Sequence, residues 1–338
     1  MGLYGGIDLH SNNNVLAVIN ASGEKRYCRR LPNDLGAVEA ALAPYRSELE
    51  GIVVESTFNW YWLVDGLMDS GYKLHLANTT AIQQYSGLKH GDDRSDAMFL
   101  AELLRLGILP EGFIYPRSER AVRDLARKRI QLVQQRTCNI LSIQSSVQRN
   151  TARRLTANQI KALKPSAANE LVRSTEVALA IDANVSVRQC LDEQIKQLEK
   201  ALLKRVRLRP EFEVLRTIPG VGPILALTIM LETGPIGRFE SVGNYSSYCR
   251  CVGSSRLSNG KKKGSGNTKN GNRYLAWAFV EAANFAVRFS TPIRAFYDRK
   301  KRQTKTVVAI KAVAHKLARA SYHMLRDEVA FDVDRAFG

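Results

Sequence analysis

The order of strand-like and helix-like segments over residues 3–77 limits the possible folds of this chain more than any other feature. Short apolar runs predict strands, and the charges of one of them place it at a sheet edge. An Asp in the sequence Pro32-Asn33-Asp34 predicts the start of a helix. The predicted segments are strands at Leu3–Leu9, Asn14–Asn20, Glu24–Leu31 (the edge strand), Gly51–Glu55 and Tyr72–Ala77, with helices from Pro32 to about Tyr45 and at Phe58–Ser70.

Three strands followed by helix, strand, helix and strand is the order of the ribonuclease-H fold, in which helices pack against a mixed sheet. Periodicity alone leaves other α/β folds open. The fold class that we expect is therefore α/β for the first part of the chain, followed by a mainly α-helical part.

Residues 118–208 predict long helices, at Glu119–Arg149 and Val187–Arg207, because they contain little Gly or Pro. A helical hairpin with a coiled-coil seam and an ordinary helical connector both fit this pattern. The predicted seam consists of Leu191, Ile195, Leu198, Leu202 and Val206.

Further helices are expected at Tyr274–Phe289 and Val307–Leu325. We expect three domains, at residues 1–117, 118–208 and 209–338.

Positive charge is concentrated in the last third of the chain. The formal net charge is +18, yet residues 1–100 contain 8 Lys/Arg and 12 Asp/Glu, whereas residues 241–320 contain 17 Lys/Arg and 2 Asp/Glu. This asymmetry favours nucleic acid as the partner over a membrane surface, which would prefer a long basic amphipathic helix. We expect no membrane span and no signal peptide.

The five cysteines are scattered and odd in number. Cys249 and Cys251 are too isolated for a zinc site. Buried, reduced thiols in a cytoplasmic, nucleoid-associated protein are the expectation.

Four carboxylates occupy positions suited to a metal site. Asp8 and Glu55 come at the ends of two predicted strands, and Asp93 and Asp96 lie three residues apart at a helix start. Together they could hold a pair of Mg²⁺ ions, which prefer oxygen ligands and could clamp a phosphodiester. Each acid alone could instead cap a loop or helix, and Asp92 could exchange with Asp93 through a one-residue shift.

Two glycine-rich segments stand in the basic part of the chain. Ile218-Pro219-Gly220-Val221-Gly222 resembles a helix-hairpin-helix turn, whose Gly220 and Gly222 would let backbone N–H groups approach a phosphate. A tight turn without a ligand is the alternative. Residues 255–273 resemble a flexible spacer in composition. Its Lys261, Lys262, Lys263, Lys269 and Arg273 are candidate phosphate-binding residues.

These features together resemble the DEDD motif and C-terminal domain of the Piv/MooV-type insertion-sequence transposases. The resemblance rests on Asp8, Glu55, Asp93/Asp96 followed by Ala97–Glu102, and on residues 218–222 and 258–275. It implies a RuvC-like N-terminal domain, and a transposase domain whose serine forms a covalent phosphoserine with DNA beside Mg²⁺ or Mn²⁺. It also implies a structured bridge RNA that pairs with donor and target DNA, and a dimer that assembles into a tetramer.

By the same resemblance, Ser258 is the nucleophile, followed by Lys261 and, eight residues further on, Lys269. Ser254, Ser255 and Ser265 remain alternatives. Because a free serine hydroxyl is a weak nucleophile, the metal held by the four acids is the expected activator, and the lysines would stabilise the transition state. We expect the segment to be a mobile catalytic loop. The alternatives are a RuvC-like nuclease or junction resolvase in which the acids activate water, and a non-catalytic nucleic-acid-binding protein.

Overall fold

The computed structural model of the chain describes residues 2–82, 92–253, 255–265 and 270–338. The chain forms two compact units, one ending at Arg117 and one starting at Ser118. Each unit has a hydrophobic core of its own. The predicted three-domain organisation, with a further boundary at about residue 208, stays a prediction.

A mixed six-stranded sheet forms the centre of the first unit, as the sequence predicts. Its strands are β1 Leu3–Leu9, β2 Asn13–Asn20, β3 Lys25–Pro32, β4 Leu49–Glu55, β5 Leu74–Ala77 and β6 Glu111–Gly112, and its helices are α1 Leu35–Leu42, α2 Tyr61–Asp69 and α3 Asp93–Arg105. The strand order is β3-β2-β1-β4-β5-β6. β1, β4 and β5 run parallel, and the other strands are antiparallel to their neighbours.

Side-chain alternation divides the residues of β1 and β4 between two faces. Ile7 and Val54 point to the core formed with α1 and α2. Val53 points to the opposite face, where it packs against Leu100 of α3. Because Asp8 follows Ile7, and Glu55 follows Val54, both carboxylates lie on the α3 side of the sheet.

Thirteen α-helices are present in the described parts of the chain, ten of them in the second unit. These are α4 Arg117–Thr151, α5 Ala157–Ala162, α6 Thr175–Val206, α7 Pro210–Arg216, α8 Pro223–Thr233, α9 Val242–Tyr248, α10 Arg273–Phe289, α11 Thr291–Gln303, α12 Thr306–Asp327 and α13 Val333–Phe337. None of the helices in these described segments is both long and apolar enough to span a membrane.

The two longest helices, α4 and α6, form an antiparallel hairpin. Arg129 pairs with Glu199 at 2.6 Å and Arg136 with Asp192 at 2.9 Å, so the residue number rises along one helix as it falls along the other. Of the five residues in the predicted seam, Ile195, Leu202 and Val206 are buried, and Leu191 and Leu198 are half-buried. α7 to α13 surround a second core, which includes Tyr245 and Phe279.

All five cysteines are free thiols. The prediction that they are buried is correct for Cys249 and wrong for Cys138 and Cys190, which lie exposed on α4 and α6. Both side chains lie on the solvent-exposed side of their helices.

Candidate metal centre and serine hairpin

Gly6 lets α3 lie directly on β1. A Cβ atom at this position would stand 2.1 Å from the carbonyl oxygen of Ala97 and 2.7 Å from the amide nitrogen of Ala101. Only a residue without a side chain allows this approach. Since Asp8 is two residues further along β1, its side chain faces the first turn of α3.

The first turn of α3 assigns different roles to Asp92 and Asp93. Asp92 is the N-cap, and its Oδ1 accepts hydrogen bonds from the backbone N–H and the hydroxyl of Ser95, both at 2.7 Å. These bonds lower the pKa of Asp92. Asp93 and Asp96 follow within the helix. Asp92 therefore caps the helix, whereas the carboxylate of Asp93 faces His10.

Three of the four predicted acids line one cavity. Asp8, Glu55 and Asp96 surround a space of about 260 Å³, together with Thr79 and Phe99. Burial, a hydrogen bond to Asp8 and repulsion by Asp8 and Asp96 raise the pKa of Glu55 to about 7. Burial and the charges of Asp8 and Asp93 also raise the pKa of Asp96. These carboxylates repel each other, as acids that share a cation do in its absence.

The fourth acid, Asp93, approaches Asp8 from another side, across His10. The Nε2 atom of His10 lies 3.2 Å from Oδ2 of Asp8 and 3.3 Å from Oδ2 of Asp93, and Arg30 also binds Asp93. Ligand atoms of Asp8, His10 and Asp93 all lie within 4.8 Å of one another. Asn59 holds the backbone of His10 in place by donating to its carbonyl oxygen at 2.9 Å.

His10 is the site residue that the sequence analysis missed. It stands two residues after Asp8, directly after the end of β1. Residues two apart in extended chain project to the same side, and this spacing could have indicated that His10 lies beside Asp8. Asp8 therefore belongs to two overlapping groups of side chains. The all-oxygen group of the cavity suits Mg²⁺, whereas the group containing imidazole suits a transition metal such as Mn²⁺.

An orphaned buried oxygen supports cation binding. Asp8 is 5% exposed, and its Oδ2 has no hydrogen-bond partner among the residues that the structure describes. The nearby Nε2 of His10 is not aligned for a hydrogen bond to it. A buried carboxylate oxygen without a partner is costly, so the residues present fit a bound divalent metal.

The predicted nucleophile lies on a β-hairpin. Residues Ser255–Ser258 form β7 and Lys261–Ser265 form β8, which pair in antiparallel fashion. Asn259 and Gly260 connect them with φ values of 49° and 70°, which is typical of a two-residue type I′ turn. The sequence analysis did not predict this hairpin, although the dipeptide Asn-Gly is a strong hairpin signal. The mobility expected of the segment stays a prediction.

Ser258 is exposed at the end of β7, directly opposite Lys261 in β8. Directly opposite residues project to the same face of a hairpin. Lys263 is also exposed, at an irregularity in the strand pairing. Lys262 belongs to β8, and Lys269 and Ser254 lie outside the described residues.

The two ends of the hairpin segment are joined at Arg250. Its Nε donates to the carbonyl oxygen of Asn270 at 3.0 Å, and its Nη2 donates to that of Gly271 at 2.9 Å. The Asn272 N–H donates to the carbonyl oxygen of Tyr248 at 2.6 Å. The chain thus leaves and re-enters the helical core at one place.

The two predicted phosphate-binding glycines have different surroundings. A Cβ atom on Gly220 (φ 83°) would stand 2.6 Å from Cβ of Phe285, so this glycine allows the turn to pack against α10. Gly222 is the N-cap of α8 and has open space where a Cβ atom would lie. Phosphate binding by Gly220 and Gly222 stays a prediction.

Comparison with known proteins finds transposases over most of the chain. Residues 5–150 match the family model DEDD_Tnp_IS110, described as a transposase, and residues 212–298 match Transposase_20, described as the transposase IS116/IS110/IS902 family. The first match contains the four acids, and the second contains Ser258.

Several individual proteins similar to this chain are also named as transposases or as insertion-element proteins. A putative transposase, y4qE, of Sinorhizobium fredii is 26% identical over 282 residues, which are 82% of this chain and 70% of the relative. A probable family 20 transposase of Pseudomonas aeruginosa is 23% identical over 345 residues, covering 96% of this chain and 94% of the relative. An uncharacterized 44.8 kDa protein of insertion element IS116 from Streptomyces clavuligerus is 25% identical over 142 residues, 42% of this chain and 36% of the relative.

Proposed function

The chain carries the two domains of the IS110/IS116/IS902 family of insertion-sequence transposases, and from this premise we propose that it cuts and rejoins DNA through a phosphoserine at Ser258. The acids Asp8, Glu55, Asp93 and Asp96 hold the divalent metal, Mg²⁺ or Mn²⁺, that the reaction needs. The observation that carries the proposal is the convergence of three carboxylates on one cavity, with an unpartnered oxygen on the most deeply buried of them.

In the proposed reaction, the Ser258 oxygen attacks the phosphorus of a DNA phosphodiester and loses its proton. One P–O bond forms, and the bond to the leaving strand breaks, so that the leaving oxygen takes up a proton as a hydroxyl. A new strand end then reverses the step and releases the serine. A divalent metal held by Asp8, Glu55, Asp93 and Asp96 would lower the pKa of the attacking hydroxyl and would offset charge on the phosphate.

The position of Lys261 opposite Ser258 supports a role in this step. Lys261 projects from the same face of the hairpin as Ser258, so its ammonium group would neutralise the attacked phosphate. The type I′ turn fixes the spacing between the two side chains. Lys262, Lys263, Lys269 and Arg273 would bind neighbouring phosphates.

The proposal requires two parts of the chain to meet. The acids belong to the unit before Ser118, and the serine belongs to the unit after it. We propose that bound nucleic acid brings them together, either within one subunit or between subunits of a dimer that assembles into a tetramer.

A guide RNA is part of the same proposal. The unit from Ser118 onward carries 40 Lys/Arg and 18 Asp/Glu, an excess that supports binding of more than one nucleic-acid strand. A structured noncoding RNA from the same element would pair with donor and target DNA. RNA that co-purifies with the protein, when sequenced, should then map to the DNA flanking the gene.

Adduct formation tests the serine. The full-length protein is incubated with Mg²⁺ and DNA from both ends of its own element, and protein–DNA adducts that survive detergent are digested and mapped by mass spectrometry. The adduct should lie on Ser258 and disappear in Ser258→Ala, while DNA binding is kept. Ser255→Ala is the matched control and should form the adduct normally.

The main alternative is a nuclease in which the acids activate water. The cavity of Asp8, Glu55 and Asp96 lies wholly within the first unit, which is compatible with such a reaction. Cleavage that leaves free ends, persists in Ser258→Ala and is lost in Asp8→Ala would replace the serine mechanism by this one.

A further inference from the structure

A cleft of about 540 Å³ lies in the second unit between α4 and the start of α10. None of the residues that line it belongs to the acid site or to the serine hairpin. Lys128, Gln131 and Gln134 line it from α4, and Tyr274 and Trp277 line it from α10. One wall thus offers cationic and amide groups, and the other offers aromatic rings.

The aromatic wall is held in place by charged neighbours. The guanidinium carbon of Arg127 lies 4.7 Å from the centre of the Tyr274 ring, and Arg127 itself donates two hydrogen bonds to the buried Glu232. Arg273 lies 4.9 Å from the same ring centre and donates to the Tyr274 hydroxyl at 3.0 Å. A ligand would therefore meet a preorganised surface, which reduces the entropic cost of binding.

Trp277 stands three residues after Tyr274 on the same helix, and so on the same side of it. Part of Trp277 packs against the hydrophobic core, and part lines the cleft. An indole that is anchored on one side and accessible on the other is a platform on which a flat ring can stack.

The combination of groups indicates a nucleotide. An aromatic platform takes the π-face of a base, the amides of Gln131 and Gln134 can both donate to and accept from a base edge, and Lys128 and Arg273 can bind a phosphate. Asp124 is the acid among the lining residues. The cleft volume lies within the usual range for small-ligand sites, about 300–1,000 Å³.

We infer that this cleft binds one unpaired nucleotide of a single strand, with its base stacked on Trp277. The inference rests on the proposed function, because that function supplies the strand. Bases inside a duplex are already stacked on each other, so only an unstacked base can enter. Single-stranded DNA and single-stranded RNA share this chemistry.

The cleft adjoins the point where the segment bearing Ser258 ends. Arg273 follows Asn272, where the segment bearing Ser258 re-enters the helical core, and Arg250 ties that end to the start of the segment. A nucleotide held here would fix a strand at the base of the serine hairpin.

Cross-linking tests the inference directly. Short mixed-sequence strands that carry one 5-iodo-deoxyuridine (DNA) or one 5-iodouridine (RNA) are irradiated with the full-length protein, and the linked peptides are mapped. The cross-link should fall on Trp277 or Tyr274 with single strands and should be absent with a fully paired DNA duplex. The arm that gives the stronger cross-link identifies DNA or RNA as the source.

Affinity measurements supply the quantitative test. Trp277→Ala should weaken single-strand binding about tenfold, the usual size of one stacking contact, while Trp277→Phe keeps most of it. Because Trp277 also packs on the core, the exposed pair Gln131→Ala and Gln134→Ala is a second variant that leaves the core intact, and it should weaken binding too. Lys128→Ala should weaken binding more than its matched control, Lys196→Ala, on the exposed side of α6.

Cross-links elsewhere in the chain, together with unchanged single-strand binding in both variants, would overturn the inference. The adduct at Ser258 separates this result from failure of the proposed function. A protein that forms the adduct but shows no contact at Trp277 has the function without the nucleotide site. A protein that forms neither has lost both.

Discussion

Arg127 binds the buried carboxylate of Glu232 through two parallel hydrogen bonds, from Nε to Oε1 at 2.6 Å and from Nη2 to Oε2 at 2.7 Å. Glu232 is 2% exposed and lies in α8 among apolar residues. Its Oε2 also accepts a hydrogen bond from Asn272 at 2.7 Å. Asn272 in turn caps α10 by accepting from the backbone N–H groups of Tyr274 and Leu275. One buried carboxylate thereby links α4, α8 and the N-terminus of α10.

Replacing Glu232 by Gln should destabilise the protein strongly. The change leaves a partly buried guanidinium without its counter-charge, and breaking such a pair costs about 3–5 kcal/mol. Urea denaturation followed by circular dichroism measures the change. Glu213→Gln removes an exposed partner of Arg216 and is the control, with an expected loss below about 1 kcal/mol. Equal losses of unfolding free energy in the two variants would show that the buried pair contributes no more to stability than the exposed pair.

Replacing Gly6 by Ala should displace α3 from β1. The new methyl group would collide with the backbone of Ala97, which cannot rotate away. We expect a destabilisation of at least the overpacking range, about 1–3 kcal/mol, and a weaker response of the melting temperature to Mg²⁺. Gly237→Ala is the control, because a Cβ atom there meets nothing within 4 Å. An unchanged Mg²⁺ response in Gly6→Ala would contradict the role assigned to this contact.

Replacing Glu55 by Gln should stabilise the metal-free protein in a pH-dependent way. The folded state raises the pKa of Glu55 to about 7, so ionised Glu55 opposes folding at higher pH. The penalty is absent below the ordinary pKa of about 4.3, grows as the pH rises towards 7, and is complete above it. The difference in melting temperature between Glu55→Gln and wild type should follow this course in the presence of a chelator.

Added Mg²⁺ should reverse that difference, because the wild type gains binding energy that the variant lacks. Glu193→Gln, on the exposed side of α6, is the control and should show no such course. A difference that does not vary with pH would rule out titration of Glu55 as its cause.

The turn of the serine hairpin offers a test of geometry that leaves Ser258 and Lys261 in place. Gly260→Val puts a β-branched side chain at a φ of 70°, where such residues are rarely found. The hairpin should lose its register, and adduct formation should slow by about tenfold or more. Asn259→Gly keeps a residue that tolerates positive φ and should retain the rate. Equal rates in the two variants would mean that the turn does not position the serine.

Substitutions of the two glycines in the α7–α8 turn should have different effects, one on stability and the other on DNA binding. Gly220→Ala should destabilise the second unit because of its contact with Phe285, whereas Gly222→Ala has room for the methyl group. Any effect of Gly222→Ala should therefore appear as weaker duplex binding without a shift in the melting temperature. Anisotropy titrations and thermal melts on the same preparations provide the comparison.

Most strands and helices of the first unit could be predicted from the sequence because their signals are local. Strand periodicity, the Asp34 cap and the acids at strand ends lie within a few residues of the elements that they predict, and the mixed sheet is confirmed. The assignment of Asp92 as the cap and Asp93 as a candidate ligand needed the hydrogen bonds to Ser95, which composition does not reveal.

Other features depended on contacts between distant residues. His10 lies beside Asp93, more than eighty residues away in the chain, and Glu232 binds Arg127 on another helix. Neither pairing leaves a periodic pattern. The hairpin at Asn259-Gly260 was different: its local signal was present, but the surrounding glycine and lysine resembled a spacer.

The hydrogen bonds of Arg250 bear on how the length of the serine-bearing segment could differ between members of the family. Because Arg250 ties the backbone on the two sides of the segment from 252 to 269 together, we expect that residues can be added to or removed from this segment without altering the helical core. The length of this segment would then set how far the serine extends from the helical core. Its reach can therefore diverge between related elements while the scaffold stays the same.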